Sequence, residues 1–497
     1  MRSTSTLPIL CFNEHNINPV MTGLKFGTAD LSNSVPEDFG ASVIKALTSF
    51  GSQFNGIQVQ GIECGPVIVR VNLLLPEGMM EEIITRLGNN LARALRVSRI
   101  DYTSNPKCGV LSLDMPIEDI SNGSRKTVLP GNLANINHNG MALPIDLGVD
   151  VQGHGKAIDL AKTPHLLIAG QTGSGKSVCI NSIIASLCMN VPMSNFDMLL
   201  VDPKGVELGD YAVLPNVINH RVLVTPDESM DALRWLVNEM EARYAILVKA
   251  GKRNIGAYNE WVSKNPVKSS INADTNFYTM RYIVCVIDEF ADLMMTSGAE
   301  LTSLVQRLAQ KSRAVGIHLV LATQRPSVKV VTGDLKANLP CRIAFKVSSA
   351  TDSMTILGQG GAEKLLGKGD MILTTDTGTE RLHGVYYSDS DIERIVDTIM
   401  DTTIESMIRI VDFVTGSTTY QLACGGFVNR RTYEYGLIMT RLGNIDLPNC
   451  KLFSCEAAVS SRRFLCTLNH TDIKTLYSSM PYSTADINEF NQVCMVG

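Results

Sequence analysis

A chain of 497 residues, 45% hydrophobic and 19% charged, has the length for roughly three domains and the apolar content to give each a core. Its net charge of −5 excludes a polycation, so any nucleic-acid surface must be local. Twelve cysteines without a C-x-x-C pair or an export signal exclude a disulfide scaffold and point to a reducing cytoplasm, and no apolar run is long enough to predict a transmembrane helix.

The first 40 residues are rich in Ser, Thr, Asn and Pro and are expected to form a flexible arm. A small α+β domain is expected over 41–116. Positions 42–50 suit a short helix, and 65–73 alternates like a half-buried strand. After the turn at Pro76-Glu77-Gly78, residues Ile83, Ile84, Leu87, Leu91 and Leu95 mark a helix over 80–95. Further strands are expected near 97–102 and 109–113, and this domain has no catalytic constellation of its own. The polar, Asn-rich stretch 117–140 reads as a linker. Residues 143–151 and 157–160 predict a hairpin that opens a third unit, over 141–400.

That unit is organised around Gly170-Gln171-Thr172-Gly173-Ser174-Gly175-Lys176-Ser177, which fits the phosphate-binding pattern G-x-x-x-x-G-K-[ST]. A short apolar strand, 165–169, precedes it and an apolar-periodic helix follows, which is the context such a loop needs. The glycines allow a tight backbone whose N–H groups face phosphate oxygens, beside the positive end of the helix. Lys176 is the expected ligand of the β- and γ-phosphates of ATP, and the Ser177 hydroxyl the expected ligand of Mg²⁺.

Strands then alternate with helices. A buried strand is expected over 196–201, and Thr225-Pro226-Asp227-Glu228 reads as a helix start, with a capping Thr and Pro at the first helical position. The apolar stripe Leu233, Leu236, Val237, Met240, Tyr244, Leu247 and Val248 reads as core, and 265–276 as a polar surface loop. The apolar strand 282–287 ends in Asp288-Glu289. Asp288 is expected to hold Mg²⁺, and Glu289 to act as general base on the attacking water. The strand 317–323 ends at Gln324, placed to sense the γ-phosphate or that water. Strands over 341–347 and 370–373 are expected to complete a parallel sheet with its ligand at the C-terminal strand ends.

Between about 65 and 385 these residues resemble the DNA translocases of the FtsK/SpoIIIE family. The likeness rests on Gly65-Pro66-Val67-Ile68-Val69-Arg70, the phosphate loop, Val201-Asp202-Pro203-Lys204, Asn238-Glu239-Met240-Glu241, Ile287-Asp288-Glu289-Phe290-Ala291-Asp292, Ala322-Thr323-Gln324-Arg325-Pro326-Ser327 and Gly358-Gln359-Gly360-Gly361-Ala362-Glu363. The resemblance implies a RecA-like P-loop NTPase core and a ring, usually hexameric, that pumps double-stranded DNA through its channel using ATP. It also implies a nucleotide site between subunits, completed by an arginine from the neighbour, here Arg313, with Arg325 and Arg342 as the other candidates. A related ring that moves protein or nucleoprotein is the alternative. The missing membrane segments suit a stand-alone form, encoded by a plasmid or virus and working in the host cytoplasm.

Charge placement bears on the DNA. From 303 to 346 eight basic residues face one acid, Asp334, which reads either as a solvated basic face or as a channel lining. By resemblance Arg325 and Lys336 are the DNA contacts. Ala350 and Met354 stand where the family usually carries basic residues, which implies a weaker grip or one supplied elsewhere. Beyond 400, segments at 404–414, 417–427 and 430–442 suit a winged-helix domain with Asn429, Arg430 and Arg431 near its reading helix, or an unrelated α/β cap. Cys450, Cys455, Cys466 and His470 include the residue types for structural zinc, though at an unusual spacing.

Overall fold

The computed structural model describes residues 24–105, 108–120, 124–264 and 279–400, together with two short strands further on. Residues 39–116 form an α+β unit. It contains α1 (Phe39–Thr48), β1 (Gln58–Cys64), β2 (Ile68–Leu74), α2 (Glu81–Thr85), α3 (Asn89–Leu95), β3 (Asp101–Asn105) and β4 (Val110–Pro116). The sheet is antiparallel in the order β1-β2-β4-β3, and buried Val43, Leu47, Val69, Val71, Leu91, Leu111 and Leu113 fill the space between sheet and helices. Two expectations change here. The helix expected over 80–95 is two helices, because Gly88 takes φ 44° between them. β1 is an additional strand whose alternation is hidden by a register shift at Gly61.

The larger unit is built on a nine-stranded sheet. Its elements are β5 (Pro144–Asp150), β6 (Gly155–Asp159), β7 (His165–Ala169), α4 (Lys176–Asn190), β8 (Phe196–Val201), α5 (Pro226–Ala250), α6 (Ile255–Lys264), β9 (Tyr282–Ile287), α7 (Phe290–Lys311), β10 (Ile317–Thr323), α8 (Gly333–Asn338), β11 (Cys341–Phe345), α9 (Ala350–Leu357), β12 (Asp370–Thr375) and β13 (Gly378–Gly384). The strand order is β6-β5-β13-β12-β11-β7-β10-β9-β8. Strands β11, β7, β10, β9 and β8 are parallel. The other four join antiparallel, so the sheet is mixed rather than parallel throughout. The strand expected at 370–373 is therefore antiparallel. The chain leaves the C-terminal end of β11, passes through α9, and returns at that same end, so β12 runs back along β11.

Alternation along the parallel strands divides the core in two. Leu166, Ile168, Val284, Val286 and Val320 face α4, where Ile180, Ile183, Ile184 and Leu187 pack against them. Leu167, Ile283, Ile287, Leu319 and Leu321 face the other way, onto α5 and α7 through Leu233, Leu236, Met240, Leu301, Val305 and Leu308. Each such aliphatic side chain contributes roughly 1.5–3 kcal/mol on burial, so the sheet is held from both faces. Thr225 caps α5 as expected, accepting from the Glu228 amide at 3.3 Å.

Segments expected to be loose are packed where they are described. Phe26 meets Tyr387 edge-on at 5.9 Å, and the Arg394 guanidinium lies 5.4 Å over the Phe26 ring. Within 124–140, Val128 is fully buried and bridges Val385, and Leu133 joins the same core. The apolar side chains in these polar stretches are few but well spaced, which composition alone conceals. β14 (Gln421–Cys424) pairs antiparallel with β15 (Phe464–Thr467). That corrects the helix expected over 417–427 at those four residues, where a distant cross-strand partner decides the backbone. The other C-terminal segments, the zinc candidates apart from the backbone of Cys466, the surface loop at 265–276 and the first 23 residues lie outside the described residues.

Candidate nucleotide site

The chain crosses from β7 to β8 at the sheet's edge, steps back through β9 to β10 beside β7, then crosses to β11 on the other flank of β7. A crevice opens at the C-terminal strand ends where the order reverses, and the loop after β7 lies in it. Its backbone is tied to both neighbouring strands: the Gly170 amide donates to Thr323 O at 3.3 Å and the Gln171 amide to Lys346 O at 2.9 Å. Gly175 takes φ 117°, and a Cβ there would lie 2.7 Å from the Gly369 nitrogen, so neither the conformation nor the space admits a side chain. Gly170, Gly173 and Ser174 complete the curve, and Thr172, exposed, lines the cleft.

Lys176 opens α4 and is 3% exposed. Its ammonium donates to the Asp288 carboxylate at 2.6 Å and to the Asp288 carbonyl at 2.8 Å. Ser177 lines the same cleft. Asp288 is fully buried, and its second oxygen, Oδ2, has no hydrogen-bond partner among the described residues. Glu289 accepts from the Thr323 hydroxyl at 2.8 Å and from the Gln324 amide at 3.2 and 3.1 Å. The Gln324 side chain in turn accepts from the Thr172 hydroxyl at 2.8 Å. The ends of β7, β9 and β10 are thus cross-linked through side chains. Lys176, Ser177, Asp288, Glu289 and Gln324 come together as the spacing predicts.

Arg313 does not join them. It is exposed in the turn Ser312–Val315 that enters β10 at the opposite end, with the strand's length of roughly 20 Å between it and the cleft. Arg342 caps helix ends, donating to Leu339 O at 2.9 Å and Lys336 O at 3.2 Å, which removes it from candidacy as a mobile arginine. Arg325 is exposed just past β10 and touches Met295 Sδ at 3.6 Å, while Lys336 is half-buried in α8. The basic run 303–346 is therefore no single patch. Arg313 lies before β10 and Arg325 after it, and Arg307 pairs with Glu241 at 2.9 Å.

The cleft holds about 650 Å³ and has a wall that motif reading misses: Arg125, Lys126, Lys368, Gly369, His383 and Tyr386. Burial pushes the His383 imidazole down to about 4, so it is neutral there. The pair of glycines in Gly367-Lys368-Gly369, just before a strand, was the available signal. No motif marks Arg125.

Residues 134–328 match the model of the FtsK/SpoIIIE family. Over 364 residues the chain is 42% identical to the DNA translocase FtsK of Haemophilus influenzae, covering 68% of this chain and 66% of that protein. The chain belongs to the FtsK/SpoIIIE family. Another relative, the DNA translocase FtsK of Treponema pallidum, is 42% identical over 349 residues, covering 69% of this chain and 42% of its own length. This FtsK/SpoIIIE chain thus spans about two fifths of that relative, and the same holds for the Staphylococcus aureus translocases. Among solved structures, the conjugation coupling protein TcpA of pCW3, in monomer form with ATPγS, is 23% identical with a TM-score of 0.49 over 74% of this chain and 100% of its own. No helix among the described residues is long and apolar enough to cross a membrane.

Proposed function

We propose that the chain is an ATP-hydrolysing motor that translocates double-stranded DNA, working as a ring, usually hexameric in form, with each nucleotide at a subunit interface. The observation that carries the reading is the convergence of Lys176, Ser177, Asp288, Glu289 and Gln324 at three adjacent parallel strand ends, in a chain about 40% identical to DNA translocases.

Phosphate fits the loop, because its residues line the cleft at the N-terminus of α4, and Gly170 and Gly175 let it curve tightly against Phe345 and Gly369. Lys176 would turn from Asp288 to the β- and γ-phosphates and hold the negative charge that builds there. The hard oxygen donors of Ser177 and of Asp288, whose Oδ2 is buried and unpartnered, suit Mg²⁺. A bound Mg²⁺ would supply charge neutralisation on the phosphates. Glu289 spends three hydrogen bonds on Thr323 and Gln324 and keeps acceptor capacity for the attacking water. It takes the proton as the water's oxygen bonds to the γ-phosphorus and the bond to the β-phosphate oxygen breaks. Gln324 orients that water, and Arg313 of a neighbouring copy stabilises the charge in flight. Arg325 and Lys336 would contact the DNA backbone.

Lys176→Ala tests the assignment. ATP turnover and translocation disappear while duplex binding persists, and retained turnover would reject the site.

A further inference from the structure

The turn between α9 and β12 is built in an unusual way. Gly367, Lys368 and Gly369 take φ values of 79°, 50° and 94° in succession. Among the described residues only Arg96, Asn219 and Lys368 are non-glycine residues in this left-handed region, and of the three only Lys368 lines the nucleotide cleft. A lysine held there is strained, and such strain persists only where the surroundings impose it.

The surroundings are on the page. The Gly369 amide donates to Ser174 O at 2.9 Å, and the close approach of Gly175 leaves no room between turn and phosphate loop. The Arg125 guanidinium donates to the carbonyls of Gly367 and Lys368, fixing the far side of the turn. Asp370 accepts from the Leu366 amide at 2.7 Å and pairs with Arg381 at 2.8 Å, closing its base. With its carbonyls taken by Arg125, the turn presents a cation, exposed Lys368, to the cleft that contains Lys176.

We propose that this turn is a second wall of the nucleotide site, in which Lys368 contacts the anionic part of the bound nucleotide and Arg125 is a positioning residue that acts through the turn. This rests on the reading of the cleft as an ATP site. The geometry makes a clean test possible, because replacing Lys368 by glycine removes the charge and relieves the backbone at once. A loss of binding then has no origin in misfolding.

The experiment titrates the full-length chain with fluorescent methylanthraniloyl-ADP in the presence of Mg²⁺ and follows thermal unfolding in parallel. Lys368→Gly is expected to bind about tenfold more weakly, the loss of one charge-assisted contact, without a lower melting temperature. Lys368→Arg should stay within about twofold of the parent. Arg125→Met should weaken binding severalfold in the parent and have much less effect once Lys368 is glycine, the non-additivity expected of residues acting through one contact. Parent-like binding by Lys368→Gly, or equal effects of Arg125→Met in both backgrounds, overturns the proposal while leaving the ATP site intact. A parent chain that binds no nucleotide rejects both readings together.

Discussion

The two ends of the parallel sheet are organised on opposite plans. At the C-terminal ends hydrogen bonds cross-link the elements, Lys176 to Asp288, Glu289 to Thr323 and Gln324, Gln324 to Thr172, and Gly369 to Ser174, while Asp288 Oδ2 stays unpartnered among the described residues. At the N-terminal ends the buried charges are paired, Arg281 with Asp197 at 3.0 Å and Arg243 with Glu239 at 2.8 Å, beside two neutral histidines. His165 and His318 lie 6.3 Å apart between β7 and β10, and burial holds their imidazoles down to about 3 and about 4. His318 also stacks on Tyr282 at 6.0 Å. On that platform the exposed cation of the turn entering β10 is Arg313, and the buried Arg243 supports the turn by donating to Val315 O at 3.0 Å. One end can receive a nucleotide. The other presents an arginine that its own cleft cannot reach, and in the proposed ring a second copy would bring the halves together.

Breaking that division gives the largest expected effect. Arg313→Ala should lower ATP turnover by about a thousandfold, the scale of a lost transition-state arginine, with nucleotide binding nearly unchanged. Mixing Arg313→Ala with Lys176→Ala should restore part of the turnover, because some interfaces then pair an intact cleft with an intact arginine. No recovery on mixing would place Arg313 outside the reaction of a neighbour.

A smaller effect sharpens the phosphate end. Gly175→Ala puts a methyl group 2.7 Å from the Gly369 nitrogen in a left-handed conformation. Nucleotide affinity should fall by about tenfold or more as the loop and the turn are forced apart, a loss worth about 1.4 kcal/mol for each factor of ten. Unchanged affinity in a binding titration would show that the loop and the turn separate freely.

The buried histidines, two at the N-terminal end and His383 in the cleft wall, make their own prediction, on stability. Buried His165, His318 and His383 have values below the ordinary 6.5, so the unfolded chain takes up protons that the folded chain refuses. Their contribution is complete above about pH 6.5 and falls as pH drops toward 4, by about 2 kcal/mol for each histidine at pH 5. His138, raised by its hydrogen bond to Asp146, works in the other direction but is partly exposed. Denaturant midpoints measured at pH 7.5 and pH 5 should therefore differ, with the lower value at pH 5. Equal midpoints would contradict the burial of neutral imidazoles.

The legible part of this chain is the part where local chemistry is strict. A phosphate loop tolerates few sequences, and an apolar strand ending in Asp288-Glu289 has few other uses, so both are readable in the sequence. Alternation also revealed β2 and the β5–β6 hairpin. Long-range geometry was harder to see. Nothing local to 370–375 says that β12 runs antiparallel, because the reversal follows from where α9 returns the chain. Gly61 hid β1 by shifting its register, and Gly88 split an apparently continuous helix. Arg125 lies in a polar stretch that composition marks as a linker, and only the fold carries it to Gly367. The charge run at 303–346 misled for the same reason: neighbours in sequence were sent to opposite ends of β10.

The central claim is that nucleotide splitting at this cleft is geared to duplex DNA. Steady-state ATP turnover measured with and without linear double-stranded DNA tests it most directly. The account predicts strong stimulation by the duplex, lost in Lys176→Ala; turnover indifferent to duplex DNA would contradict it and favour a ring that moves protein or nucleoprotein.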